Sequence, residues 1–192
     1  MNFFKNNSRL ISKLFINQIG MTIFGTVLTV AAYMAAKGKG AFLLGVSLFA
    51  IAFYLSLVYN VMWDAGARDT IRIDTGRMEK TPFYALRVAS FAAIPNFALG
   101  LLLLIGFFFG YVLNLSFGQL LYGIMRILVP VLQAMYAGTF SFLLKQVPEN
   151  VEYLVFTLLY LFASLPMILV SVGSYELGRR NIYLFGNKKN KK

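Results

Sequence analysis

Residues 119–144 read QLLYGIMRILVPVLQAMYAGTFSFLL. At about 1.5 Å per residue this apolar run is long enough to cross the roughly 30 Å of a bilayer's hydrocarbon. Inside it stand Arg126, Pro130 and Gln133. Proline removes a backbone donor and crowds the carbonyl four residues earlier, so Pro130 breaks or kinks the helix and frees the carbonyl of Arg126. A guanidinium within lipid costs about 2.5–3.5 kcal/mol on insertion scales, so Arg126 requires water, a phosphate or a polar partner. Gln133 is close in sequence and lies on the same helical face. Two outcomes fit these residues. One is a pair of half-helices entering and leaving from one side, shielded by protein or water. The other is a kinked full span with Arg126 snorkelling to the headgroups. Either way Arg126, Gln133 and Asn96, which neighbours a second intrahelical proline, Pro95, form a candidate intramembrane polar site.

Four further apolar stretches, residues 14–36, 41–62, 88–113 and 153–173, are each long enough to span. The whole chain of 192 residues is 59% hydrophobic and 13% charged, with a mean hydropathy of +0.70. Ordinary soluble domains carry roughly 45–50% apolar and 25% charged residues, so the solvent here is lipid. The expected fold is an all-α polytopic membrane bundle, a single transmembrane domain over residues 1–192. It has five apolar segments: four full spans and one Pro-broken or re-entrant segment. Lys5, Arg9 and Lys13 precede the first run, as in a signal peptide, and Val30-Ala31-Ala32 loosely resembles a cleavage site. The run exceeds a typical signal h-region, so it reads as an anchor.

Charge sets the expected topology. Eighteen Lys and Arg against seven acids give a net charge of +11. Fourteen of the basic residues fall in three clusters: before the first span, in the loop 63–87, and in the tail 179–192. Basic flanks stay cytoplasmic, so both termini of this multi-pass cell-membrane protein are expected inside, with Lys37 and Lys39 the exceptions in a tight outer loop. Five full crossings are incompatible with that placement. One irregular segment restores it.

Two span ends share a pattern. Trp63-Asp64-Ala65-Gly66-Ala67-Arg68-Asp69 and Tyr175-Glu176-Leu177-Gly178-Arg179-Arg180-Asn181 both read aromatic, acid, x, Gly, x, Arg, Asx. Gly25-Thr26 and Gly138-Thr139 correspond at nearly the same offset, which suggests a two-helix repeat over 14–69 and 126–181. If the two ends lie side by side, Asp64, Arg68, Asp69, Glu176, Arg179 and Arg180 form one charge cluster. Phe91 to Pro95 and Phe162 to Pro166 echo each other at a different offset and read as kinks.

The chain has neither His nor Cys, which excludes imidazole and thiolate metal sites, Cys or His nucleophiles and disulfides. Carboxylates remain, concentrated in WDAGARDTIRIDTGRMEK, residues 63–80. Asp64, Asp69 and Asp74 recur every five residues, about 140° apart around a helix, so they do not share a face as a Mg²⁺ site requires. Their order and spacing also depart from the CDP-alcohol phosphotransferase signature. Asp64 with Arg68 and Asp69 with Arg72 read instead as helical ion pairs before an Asp74-Thr75-Gly76 turn. No catalytic residue, metal ligand or cofactor is assigned. Arg68, Arg72, Arg77, Arg179 and Arg180 are the candidate binders of lipid phosphate or a partner. The expected partners are anionic lipid headgroups and a membrane-protein partner or second copy, since Gly106 and Gly110, Ala31 and Ala35, and Ala134 and Gly138 are small pairs that permit close approach. Nucleic acid is not expected. The function expected is that of a non-enzymatic accessory or substrate-binding component of a transport or envelope complex. The alternative is a small membrane enzyme acting on lipid phosphates at the cytoplasmic interface.

Overall fold

The computed structural model describes residues 2–36, 40–77, 79 and 81–183. Lys37, Lys39, Lys80 and the lysines of the tail lie outside the described residues. Among the described residues seven α-helices follow one another: α1 Asn2–Ala36, α2 Gly40–Asp74, α3 Tyr84–Phe107, α4 Ser116–Leu132, α5 Ala137–Leu144, α6 Glu149–Phe162 and α7 Leu165–Arg179. A π-helical turn, Phe108–Val112, extends α3, and a short 3₁₀ turn, Ala134–Tyr136, precedes α5. α1, α2, α3 with its extension, and α6 continuing through α7 are long and apolar enough to cross a membrane. The molecule is an all-α membrane bundle of four spans and one broken segment.

That segment is α4 and α5, bent by 84°. Both of its ends lie at one end of the bundle. A Cβ on Gly118 would collide with the backbone of Phe109 and Gly110 at the end of α3, and Lys145 Nζ lies 3.4 Å from the Cβ position of Gly40 at the start of α2. The segment therefore enters and leaves from the same end, as a re-entrant element. The break does not fall at Pro130, which α4 passes through, but at Gln133, whose backbone (φ −117°, ψ 36°) leaves the helix. Carbonyls left without helical donors must be satisfied inside the protein. Hydroxyls on α1 and α2 do this: Thr22 donates to Leu132 O (2.8 Å), Thr29 to Ala134 O (3.0 Å) and Ser47 to Met135 O (2.6 Å). Ser47 also accepts from Thr139 N at 3.1 Å. Gly25 and Gly138 let these helices close on the break, because a Cβ on either would press into Met135 or Leu43.

At the opposite end, the start of α1, the end of α2, the start of α3 and the end of α7 meet. Gly66 of α2 faces the carbonyl of Tyr175, and Gly178 of α7 faces the carbonyl of Trp63, so the two glycines of the shared pattern pack into each other's helix. Trp63 Nε1 donates to Ile182 O at 2.8 Å, and Thr70 Oγ1 to Arg179 O at 3.1 Å. The two patterned ends lie side by side. Pro95 does not interrupt α3, whereas Pro166 starts α7 near its N-terminus, where its missing donor costs nothing.

Candidate functional site

At this end α1 carries Lys5, Arg9 and Lys13 with spacings of four residues, so they share one helical face. The face looks across a cleft of about 490 Å³ at Arg68 and Arg72 of α2, with Asn7, Ser8 and Tyr84 completing the wall. Asp69 also lines the cleft, its side chain only 7% exposed. Asp69 is already engaged: Tyr175 OH donates to its Oδ2 at 3.0 Å, and Arg72 Nη1 lies 3.6 Å from Oδ1. Asp64 pairs outward with Arg68 at 2.9 Å. Five cations thus border one cleft in which the single lining carboxylate is committed to α7.

Hydrogen bonds and ring contacts join the helices of the wall. Tyr84 OH donates to Asn7 Oδ1 at 2.6 Å, and Asn7 Nδ2 donates to Phe3 O at 2.9 Å. The Tyr84 ring stands 5.9 Å from Phe3 and 5.3 Å from Tyr175, centre to centre. Asn7, Tyr84, Tyr175 and Asp69 therefore tie α1, α3, α7 and α2 together around the cleft. The cationic side chains are exposed at its rim; Arg68 pairs with Asp64 and Arg72 approaches Asp69, while Lys5, Arg9 and Lys13 have no ion pair among the described residues. Guanidinium groups suit bidentate contacts to phosphate oxygens, and lysine ammoniums add mobile point charges. Among the described residues, no three acidic side chains converge as a group able to hold a metal ion.

Of the candidate arginines, Arg68 and Arg72 line this cleft. Arg179 pairs with Glu176 at 2.9 Å and borders a separate groove between α3 and α7. Arg77 and Arg180 are exposed beyond the helix ends and line neither. Lys5, Arg9 and Lys13 line the cleft as well, a placement the sequence marks only through their spacing on a single cationic face.

The intramembrane candidates separate. Arg126 finds its partner on α6 and not in Gln133. Its Nη2 lies 3.2 Å from Glu152 Oε1, and its guanidinium stands 4.7 Å from the Tyr153 ring centre and 5.6 Å from that of Phe156. The α6 start packs on the end of α3, with Tyr153 stacked on Tyr111 at 4.8 Å, so Arg126 sits toward the end of the bundle far from the basic cleft. Gln133 is wholly buried at the break, and Asn96 is buried within α3. No hydrogen bond joins Arg126, Gln133 and Asn96 among the described residues. In comparisons with known proteins, no family model, curated protein or solved structure matches this chain.

Proposed function

We propose that this chain is a non-enzymatic integral membrane component that holds a lipid phosphate in its basic cleft, in an accessory role within a transport or envelope assembly. The observation that carries the reading is the convergence of Lys5, Arg9, Lys13, Arg68 and Arg72 around a cleft whose one carboxylate, Asp69, is already bonded to Tyr175. Lys5, Arg9 and Lys13 have no ion pair among the described residues, so an anion in the cleft supplies their missing counter-charge. The basic end is assigned to the cytoplasmic face, where anionic headgroups add about 1 kcal/mol per nearby Lys or Arg. Among the described residues, no three acidic side chains gather here as a metal-assisted cleavage of a phosphate ester would need. Asp64 is turned outward to Arg68, and Asp69 is held by Tyr175.

Native mass spectrometry of the detergent-purified protein with added phosphatidylglycerol tests this. The reading expects one retained anionic phospholipid per chain, unchanged in mass over time, and its loss in the Arg9→Gln/Arg72→Gln variant. Equal retention by the variant would remove the cleft as the site. Time-dependent cleavage of the lipid would instead favour an enzyme.

A further inference from the structure

Four buried side chains around the break in the re-entrant segment carry polar atoms with no hydrogen-bond partner in the protein. Gln133 is wholly buried, and neither its Oε1 nor its Nε2 is paired. The hydroxyls of Tyr54 and Tyr136 and the Oε1 of Gln18 are buried and unpaired as well. A buried donor or acceptor without a partner forfeits its solvation and gains nothing in exchange, so such groups ordinarily find one. The fold brings the four to the break from three parts of the chain. Gln133 precedes the short 3₁₀ turn and Tyr136 ends it. Gln18 lies one helical turn before Thr22 on the same face of α1, and the Thr22 hydroxyl reaches the carbonyl of Leu132, next to Gln133. Tyr54 lies two turns after Ser47 on the same face of α2, and the Ser47 hydroxyl holds the carbonyl of Met135, next to Tyr136. The phenols of Tyr54 and Tyr136 are electrostatic neighbours.

These groups decide what chemistry they accept. The Gln133 carboxamide donates through Nε2 and accepts through Oε1, and each phenol can do both. A bare cation satisfies only the acceptors, and an anion only the donors. Among the described residues Asp69 is the one buried charged side chain, and Tyr175 holds it at the basic end, so an ion of either sign would lack a buried counter-charge at the break. A neutral molecule that donates and accepts at once satisfies both ends of Gln133. We infer that the break binds a small neutral hydroxyl-bearing molecule, water or a small polyol, which bridges the Gln133 carboxamide to Gln18 of α1, Tyr54 of α2 and Tyr136. A buried water makes about three hydrogen bonds, and the four side chains supply that many partners. The site is independent of the basic cleft and of the lipid proposed there. It makes Gln133, without Arg126 or Asn96, the centre of a polar site inside the bundle.

An experimental density map of the detergent-purified protein at about 2 Å resolution, recorded with and without glycerol, tests this. Without glycerol the inference expects density for a water within about 2.7–3.2 Å of Gln133 Oε1 or Nε2 and of at least one polar atom of Gln18, Tyr54 or Tyr136. Persistence of that water in glycerol identifies water as the occupant, and its replacement by longer, branched density identifies a polyol. Gln133→Met keeps the length of the side chain, removes the carboxamide, and leaves in place the hydroxyls that hold the carbonyls of Leu132, Ala134 and Met135. The bound molecule is expected to be lost from that variant.

Absence of density beside Gln133 in the unsubstituted protein would overturn the inference, whether the carboxamide then pairs directly with Gln18, Tyr54 or Tyr136 or stays unpaired. The same density at the same place in Gln133→Met would overturn the role given to Gln133. Either result leaves the reading of the basic cleft untouched.

Discussion

Gly66→Ala offers a demanding test of how the basic end is assembled. The added Cβ would collide with the Tyr175 carbonyl oxygen and stand 3.0 Å from its carbon and 3.1 Å from Arg179 N. All three are backbone atoms of α7, so none can rotate aside and the helices must separate. Overpacking of this kind costs about 1–3 kcal/mol. Separation also loosens the Tyr175 to Asp69 and Thr70 to Arg179 hydrogen bonds, worth about 1 kcal/mol each. Against this, alanine in a helix interior gains about 0.8–1.0 kcal/mol over glycine. The net expectation is a loss of about 1–4 kcal/mol from these terms. Gly45→Ala is the internal control, since nothing lies within 4 Å of its Cβ position and only the helical gain remains. Equilibrium unfolding in mixed micelles, followed by circular dichroism, should move the two variants in opposite directions. If Gly66→Ala is as stable as Gly45→Ala, the reciprocal glycine packing of α2 and α7 is wrong.

Other expectations follow from the same contacts. Ser47→Ala strands the Met135 carbonyl and the Thr139 amide and should cost about 1–3 kcal/mol, measured in the same unfolding assay. Glu152→Ala removes a pair more than a third exposed on both sides and should cost less, about 0–1 kcal/mol. Asp69→Asn removes the one negative charge lining the cleft and should tighten phosphate binding severalfold by calorimetry, whereas Asp74→Asn, exposed at the end of α2, should leave it unchanged. Single cysteines at Thr75 and Ile182 should be shielded from an impermeant maleimide in intact cells, while one at Gln146, at the other end, should react. Reaction at Ile182 alone would break the four-crossing topology.

The four long apolar helices were legible because apolar length is a local property of the chain. The irregularity of residues 119–144 was legible for the same reason, through Pro130, Arg126 and Gln133. The position of the break was not, because proline removes only its own donor and α4 continues past it. The helix ends where Thr22, Thr29 and Ser47 take over the carbonyls of residues 132, 134 and 135, and those donors lie about a hundred residues away in sequence. Arg126 was readable as a residue in need of a partner, but Glu152 becomes that partner only when α6 packs beside α4. At the basic end the shared pattern drew attention to its aromatic and arginine positions, whereas the glycines decide how the helices meet. Lys5, Arg9 and Lys13 read in sequence as a topological signal, and their convergence with Arg68 and Arg72 on one cleft is visible only in the folded chain.

The central claim is that the basic cleft holds one lipid phosphate, and the phosphorus content of the purified protein tests it most directly. After exhaustive detergent washing in phosphate-free buffer and incubation with phosphatidylglycerol, the account predicts about one tightly bound phosphorus per chain, lost at high salt because screening weakens exposed charge contacts. The Arg9→Gln/Arg72→Gln variant should carry none, and phosphatidylcholine should not substitute. Equal phosphorus in variant and unsubstituted protein, or equal retention of phosphatidylcholine, would contradict the claim.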